Sequence, residues 1–516
     1  MSQNMISALF YATPENDYEA TVQSLAAQST QSMEIILIHQ ASFSPDESRL
    51  QAIIKDKFPV KCIPFQSERK SEQLNTGFNA CSGQFILLAD NQNNKIEFKL
   101  GAPELFLLAI RRDDEAAMVY CDYERANGEQ VDEVRLLKHH TGRVRDNQDF
   151  GPVWFIAHDA LKKAGYADAS LEYKPLYDLR LKLSQQGRLI HIANRYAGSL
   201  YRVTAEGKGH NVFDYLMAGK ESQLEAEHIL NAHLKAIGAY LEPGAHYRPC
   251  SIQQGELKAS VIIPVNNRPG FIGQAIESVQ AQTVRDVEVI VVVNGGPSDP
   301  TVEAVKQYMP GGNRYDASKP QVQLLVYEIN NLGLCLNMGA RVARGTYYVQ
   351  LDSDDRLKPD AVEKILAVYE TDPRIGMVIG SYEVWQKEED GRIVRMEDLP
   401  VVTHDEWTEE NGRNNLLRIN GAGAPRSIPI SLIREIGFSV NEEPYARNYG
   451  EDYGMVLKIS EQYRIGRVWD AIYEVIRHAG GTDHAIDQAT IDRNDEAKDF
   501  MRLEAILRRK ELNRNK

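Results

Sequence analysis

The chain has 516 residues, 59 basic and 73 acidic side chains, and a formal net charge of −14. That charge repels phosphate backbones and anionic lipid, which excludes nucleic-acid binding as the main task. An apolar content of 43% with 26% charged residues excludes disordered and fibrous classes. At about 150 residues per domain the length implies two to four domains. The longest strand-like stretches, Phe85 to Ala89 and Val287 to Val293, fall far short of the roughly 20 residues a membrane span needs. The N-terminus lacks the basic and apolar regions of a secretory signal. Five cysteines without paired spacing suit reduced packing thiols, so a cytoplasmic location is expected, with the inner membrane face as an alternative.

The sequence repeats itself. Ser24 to Gln40 (SLAAQSTQSMEIILIHQ) returns as Ser278 to Asn294 (SVQAQTVRDVEVIVVVN), and LNTGFNACSGQFILLADNQN from Leu74 returns as LNMGARVARGTYYVQLDSDD from Leu336. Ala117 to Glu124 answers Gly376 to Glu383, and Leu181 to Arg188 answers Leu457 to Arg464. Four matches in one order indicate a duplication. The expected organisation is a first α/β domain at 1–206, a helical connector at 207–257, a second domain at 258–484 and a helical tail at 485–516. Phe213 to Tyr240 carries the connector's helical spacing. Its bland reading for the tail is a helix docked on the domain, with a peripheral membrane or partner contact as the alternative.

Within the second copy, Ala259 to Val265 and Val287 to Val293 read as buried strands, and Pro269 to Gln282 as a helix. Leu334 to Ala343 reads as a helix, Tyr347 to Leu351 as a strand and Pro359 to Tyr369 as a helix. Such alternation predicts a largely parallel sheet covered by helices on both faces. Ligands of such sheets bind beyond the carboxyl ends of the strands, so functional residues are expected just after strands. Leu351-Asp352-Ser353-Asp354-Asp355 stands at such an end. Three adjacent carboxylates repel one another unless a cation offsets them, and hard oxygen ligands suit Mg²⁺ or Mn²⁺. Glu451-Asp452, preceding another helical stretch, is a second acidic pair.

The ordered set VIIPVNNR, SVQAQT, VEVIVVVNGG, Asn331 through Asn337 and Gly339, and LDSDD resembles the inverting family 2 glycosyltransferases of the GT-A fold over about the whole second half. The resemblance implies a tandem of two GT-A, Rossmann-like nucleotide-diphospho-sugar transferase domains. It implies that Pro264, Val265, Asn266, Arg268, Asn294, Asn337, Asp352, Ser353 and Asp354 hold a nucleotide-diphosphate sugar, with a UDP-sugar favoured. Asp354 and His478 are the implied ligands of Mn²⁺ or Mg²⁺, Asp452 the implied general base, and Glu451 its orienting or acceptor-binding neighbour. Asn266 replaces the family's usual Tyr, Leu336 its usual Arg, and Asn294 stands where an Asp often pairs with uracil. An amide oxygen can still accept that N–H.

In the first copy Asp90 falls opposite Asp352, but Gln92 and Asn93 fall opposite Asp354 and Asp355, Pro175 and Leu176 opposite Glu451 and Asp452, and Val203 opposite His478. That copy is therefore expected to be inactive, serving as scaffold, acceptor-glycan site or dimerisation surface. The expected activity is transfer of one sugar at a time to a glycan or lipid-linked acceptor in surface polysaccharide synthesis, with acceptor choice set by loops at Glu383 to Asn414 and Gly423 to Asn448. The competing readings are a non-catalytic sugar-nucleotide or glycan-binding scaffold and a sugar-nucleotide pyrophosphorylase.

Overall fold

The computed structural model describes residues 5–29, 32–193, 199–204, 219–388, 390–404, 412–419, 421, 423–444, 450–478 and 488–515. Two compact units are present, Met1–Ile237 and Gly238–Lys516.

In the second unit, strands lie in the order Val322–Val326, Val287–Val293, Leu257–Val265, Gly345–Gln350, Arg426–Pro429, Ile375–Lys387, Arg464–Arg477 and Arg356–Leu357. The first four run parallel to one another, because their connections are helical crossovers. The inner strand Val287–Val293 is buried throughout and Leu257–Val265 over most of its length, as strands covered on both faces must be, whereas the edge strand Val322–Val326 is mostly half-buried. Arg426–Pro429 is antiparallel to both neighbours, which departs from the parallel alternation read in the sequence. An antiparallel strand brings its first residue, not its last, to the carboxyl end of the sheet, and Arg426 sits there beside Gln350.

The first unit repeats this order strand for strand: Val60–Phe65, Met33–Gln40, Ile6–Tyr11, Phe85–Ala89, Val153–Ala157, Ala116–Cys121 and Arg188–Ile192. Where the second unit has long continuous strands at Ile375–Lys387 and Arg464–Arg477, the first breaks each in two. The outer halves, Tyr123–Asn127 and Tyr201–Thr204, join Lys95–Phe98 and Gln130–Val134 in a separate four-stranded sheet.

Two buried polar devices recur at matching positions. Ser7 Oγ donates to Glu34 at 2.6 Å and accepts Gly83 N–H at 2.8 Å; Ser260 Oγ donates to Glu288 at 2.7 Å and accepts Gly345 N–H at 2.9 Å. The amide of Asn75 closes both bonds with Ala167 backbone, at 2.8 and 3.1 Å, as Asn337 does with Phe438, at 2.8 and 2.9 Å. Burial alone raises a carboxyl, but Lys61, Ser7 and Ser82 outweigh it at Glu34 and hold it down from 4.5 to about 2. A depressed carboxyl stabilises the fold above its unfolded value and ceases to do so as pH falls through the folded one. Urea denaturation at stepped pH should therefore show wild type losing on the order of 3 kcal/mol between pH 4.5 and about 2. Glu34→Gln should flatten that dependence, and an unchanged slope would contradict it.

The helix Lys220–Ala236, read above as part of a connector, packs within the first unit. Its Glu225 carboxylate accepts the N–H groups of Glu172, Tyr173 and Lys174 at 2.6–2.8 Å, satisfying the entrance to the helix Pro175–Gln186. His233 contacts Gln185 at 2.9 Å. The C-terminal helix Gln488–Arg514 meets Glu451–Gln462 likewise in the second unit, through Arg508 on Glu461 at 2.9–3.0 Å. Each repeat thus ends in a helix laid on its counterpart; helical spacing does not say which unit the helix covers. No described helix is long and apolar enough to cross a membrane. Parts of the segments Glu383 to Asn414 and Gly423 to Asn448, and the starts of the connector and tail, lie outside the described residues.

Candidate active site

Three chain segments converge at the carboxyl end of the second sheet. The Gly345–Gln350 strand delivers Asp352, the antiparallel strand delivers Arg426, and the helix Glu451–Gln462 opens with Glu451 and Asp452 in its first turn. Gly450 precedes that helix at φ 93°, a left-handed turn that suits glycine, and the unsatisfied N–H groups of the first turn favour carboxylates. Asp352, Arg426, Glu451 and Asp452 line a small cleft of about 30 Å³, with Pro264, Leu336, Tyr348 and Phe438 among its apolar walls.

Arg426 dominates the electrostatics. Its Nη1 lies 2.8 Å from Asp452 Oδ2, with the two side chains 14% and 24% exposed. Burial pushes the Asp452 carboxyl up, but Arg426, then Lys498 and the Tyr453 N–H, hold it below the ordinary carboxylate range. Glu451 responds oppositely: burial and the neighbouring Asp452 charge push it up to about 7. Asp352 is also raised, first by burial, with Arg426 opposing. Two adjacent carboxyls are thereby driven apart, one kept ionised and one shared with its proton near neutrality.

The acidic turn divides its labour. Asp355 faces inward, accepting the Ile476 N–H at 2.8 Å, and Tyr473 hydroxyl accepts the Asp352 N–H at 3.0 Å. Asp354 instead faces His478, Oδ2 to Nε2 at 3.0 Å, and Phe271 packs on the imidazole with ring centroids 4.4 Å apart. Among the described residues no group of three or more His, Cys, Asp or Glu forms a metal cage. The Asp354–His478 pair fits the other habit of Mg²⁺ and Mn²⁺, in which one or two protein groups are completed by substrate phosphate oxygens and water.

The remaining sequence candidates separate into two groups. Asn266 donates to Asn294 Oδ1 at 2.9 Å, and Asn294 donates to Asn330 at 3.1 Å, an amide chain beside the cleft. Pro264 lines the cleft, Arg268 anchors its backbone N–H on Thr301 at 2.9 Å, and Ser353 lies half-buried in the acidic turn. Two residues do not present side chains to a ligand. Val265 is buried, with its carbonyl taken by the Asn294 N–H. Asn337 spends its amide on Phe438 backbone, so it positions a cleft wall; the same closure in the first unit, which lacks the charges, marks it as structural. The segments read as acceptor loops contain regular elements, Ile393–Arg395, Arg426–Pro429 and the helix Ile430–Ile436, and Ile375–Lys387 runs into the first of them.

The first unit keeps the scaffold without the charge. Its Asp90 is neutralised by Lys70 at 2.6 Å, Gln92 bonds Gln73 at 3.0 Å, and the helix facing the site begins at Pro175. By strand register Trp154 occupies the place of Arg426, its ring nitrogen donating to Gly151 at 3.0 Å.

Residues 10–92 and 260–423 match the sequence model of Glycosyl transferase family 2. Both units thus carry a region that matches that family. The chain is 29% identical over 188 residues to a chondroitin synthase of Pasteurella multocida (34% of this chain, 18% of the relative) and 28% identical over the same length to a hyaluronan synthase of that organism. It is 31% identical over 107 residues to the putative glycosyltransferase EpsH of Bacillus subtilis (21% of this chain, 29% of the relative). The chain thus spans about a fifth of the length of the two synthases it matches. Among solved structures, S. aureus TarS 1–349 with UDP aligns at 20% identity and TM-score 0.33, covering 43% of this chain and 61% of that one. A mannosyltransferase from Pyrobaculum calidifontis in complex with GDP-Man and Mn²⁺ aligns at TM-score 0.34, with 56% and 82% covered.

Proposed function

We propose that the second unit is an inverting glycosyltransferase that moves a sugar from a nucleotide-diphosphate donor, UDP-sugar favoured, to a hydroxyl of a glycan or lipid-linked glycan in surface polysaccharide synthesis. The Asp452–Arg426 pair carries this reading, because it keeps an ionised carboxylate at the mouth of a cleft built from family 2 sequence. In a single displacement the acceptor oxygen attacks the anomeric carbon opposite the departing diphosphate while a base takes its proton. Asp452 serves as that base. Glu451, near-neutral at pH 7, accepts or donates to acceptor hydroxyls without adding a second full charge. Asp354 and His478 would hold Mn²⁺ or Mg²⁺, which when bound offsets charge on the leaving diphosphate. Asp352 and the Asn266–Asn294 amides orient the nucleoside.

The first unit is proposed as a non-catalytic partner, a reading favoured by its Lys70–Asp90 pair and Trp154. We place the chain in the cytoplasm or on the inner membrane face, and leave self-association to direct measurement.

The test is turnover of a nucleotide-sugar panel with Mn²⁺, monitored as released nucleoside diphosphate. At least one donor should turn over, EDTA should abolish the reaction, and Asp354→Ala should weaken metal-dependent nucleotide binding by on the order of 10–100-fold. A wild-type chain that neither binds nor turns over any donor sinks the proposal.

A further inference from the structure

The C-terminal helix Gln488–Arg514 meets the candidate active site at the turn that carries Glu451 and Asp452. Its Lys498 is 5% exposed, a burial that lysine seldom accepts. A Cβ at Gly450, the residue that starts the turn, would meet Lys498 Cγ at 3.5 Å and Cε at 3.6 Å. The Lys498 stem therefore lies across Gly450, and its ammonium stands 5.8 Å from the centre of the Tyr453 ring. That places a positive charge beside a turn whose middle residues are Glu451 and Asp452. One helical turn on, the Arg502 guanidinium lies 4.9 Å from the centre of the same ring. Arg502 pairs with Asp499 at 2.7 Å, both fully buried, and donates to the Leu417 and Ile419 carbonyls at 2.9 and 2.8 Å. Tyr453 in turn donates to the Leu416 carbonyl at 2.5 Å. The helix thus holds both the turn bearing Asp452 and the segment that precedes Arg426.

The first unit has the same arrangement with the opposite sign. Its terminal helix Lys220–Ala236 reaches the corresponding turn with a carboxylate, Glu225, which accepts the N–H groups of Glu172, Tyr173 and Lys174. The helix that follows has Pro175 and Leu176 where the second unit has Glu451 and Asp452. There the unsatisfied N–H groups of a helix start set the requirement, and an anion meets it. In the second unit the turn brings two carboxyls of its own, and the terminal helix delivers a cation. Packing alone asks for neither sign. Asp452 is faced by Arg426 from the antiparallel strand, Tyr348 and Asp352 from the strand and acidic turn beside it, Glu451 from its own helix and Lys498 from the tail. Arg426 and Lys498 are the cations among these groups, one supplied by the sheet and one by the C-terminal helix.

We propose that the C-terminal helix is a working part of the catalytic site, with Lys498 a positioning residue that sets the Asp452 carboxylate for its encounter with the acceptor hydroxyl. This rests on the transferase reading above and adds a second cation on which the base depends. The experiment is kcat against pH for the full chain with Mn²⁺ and a donor that turns over, paired with calorimetric binding of UDP and GDP. Lys498→Met keeps the stem over Gly450 and removes the charge. Its acid limb should move up by about 0.5–1 pH unit, lowering kcat about 3–10-fold on that limb. At alkaline pH kcat should return to within about twofold of wild type, with nucleotide affinity unchanged. The same displacement should appear without turnover in the carboxyl NMR titration of Asp452, assigned with Asp452→Asn. Lys498→Arg keeps a charge on a stem of similar reach and should bring the limb back. A limb or titration that stays at the wild-type pH in Lys498→Met, or a loss of kcat equal at every pH, gives the residue to the fold alone and overturns the proposal. So does failure of both Lys498→Met and Lys498→Gln to fold, read by circular dichroism. A wild-type chain that neither turns over a donor nor binds UDP or GDP overturns the transferase reading itself, a result that no Lys498 variant can produce.

Discussion

Asp452→Asn is expected to lower kcat by about 10²–10⁴-fold while leaving nucleotide affinity within about twofold of wild type. The substitution is nearly isosteric, and its amide oxygen can still accept from Arg426, 2.8 Å away in the wild type. What it removes is the capacity to take a proton. Glu451, pushed up to about 7 and one residue away on the same helix turn, is the group able to sustain residual turnover. The rate left in Asp452→Asn should therefore rise with pH through a value below 7, since Glu451 loses the raising charge of Asp452 but must still give up its proton before it can act as a base. Steady-state transfer kinetics paired with calorimetric nucleotide binding tests both halves. Unaltered kcat would remove Asp452 from the mechanism.

Arg426→Met is expected to have the larger combined effect. Methionine fills much of the same volume, so packing loss is modest, but three carboxyls then face one cleft without their shared cation. Breaking an ion pair this far from solvent costs about 2–4 kcal/mol. Asp452 is depressed in the folded state, so the stabilisation it draws from Arg426 is present above its unfolded value of about 3.9 and fades as pH falls below it. The stability gap between wild type and Arg426→Met should accordingly be widest near neutrality and narrow in acid. In turnover, loss of the guanidinium raises both Asp452 and Glu451, so the acid limb of the pH–rate profile should move to higher pH. Arg426→Lys keeps a charge without the planar fork, and should restore the limb's position more fully than kcat. Coincident profiles for wild type and Arg426→Met would deny Arg426 its role in holding the base ionised.

Much of the candidate site is legible in the sequence, for a physical reason. A parallel sheet presents the residues that follow its strands, so LDSDD after a buried strand, and Glu451-Asp452 opening a helix, stand at the end where such sheets take their ligands. Arg426 escaped notice because the same rule points away from it. It begins its strand instead of following one, and only the antiparallel direction of that strand brings a leading residue to the ligand end of the sheet. Strand direction is set by distant partners and has no local sequence signal. Asn337 erred in the other direction. Its type and spacing match a ligand contact, yet both its hydrogen-bonding ends close on Phe438, a pairing between residues about a hundred positions apart that no local pattern discloses. The connector helix had an unmistakable period, but amphipathic spacing shows that a face is buried without naming the surface that buries it.

On the proposed reading of the first unit as non-catalytic, the Lys70–Asp90 pair has a further consequence. A cleft in which carboxyls are crowded around one arginine is under self-repulsion, and a scaffold relieved of that crowding is free to relax. The first unit, with a lysine and a tryptophan where the second carries an open pocket and an arginine, is the same framework after that relief. On that reading one polypeptide would contain both terms of a trade between stability and activity: a twin whose shape can be kept by packing alone, and a twin whose shape must be kept against its own charge.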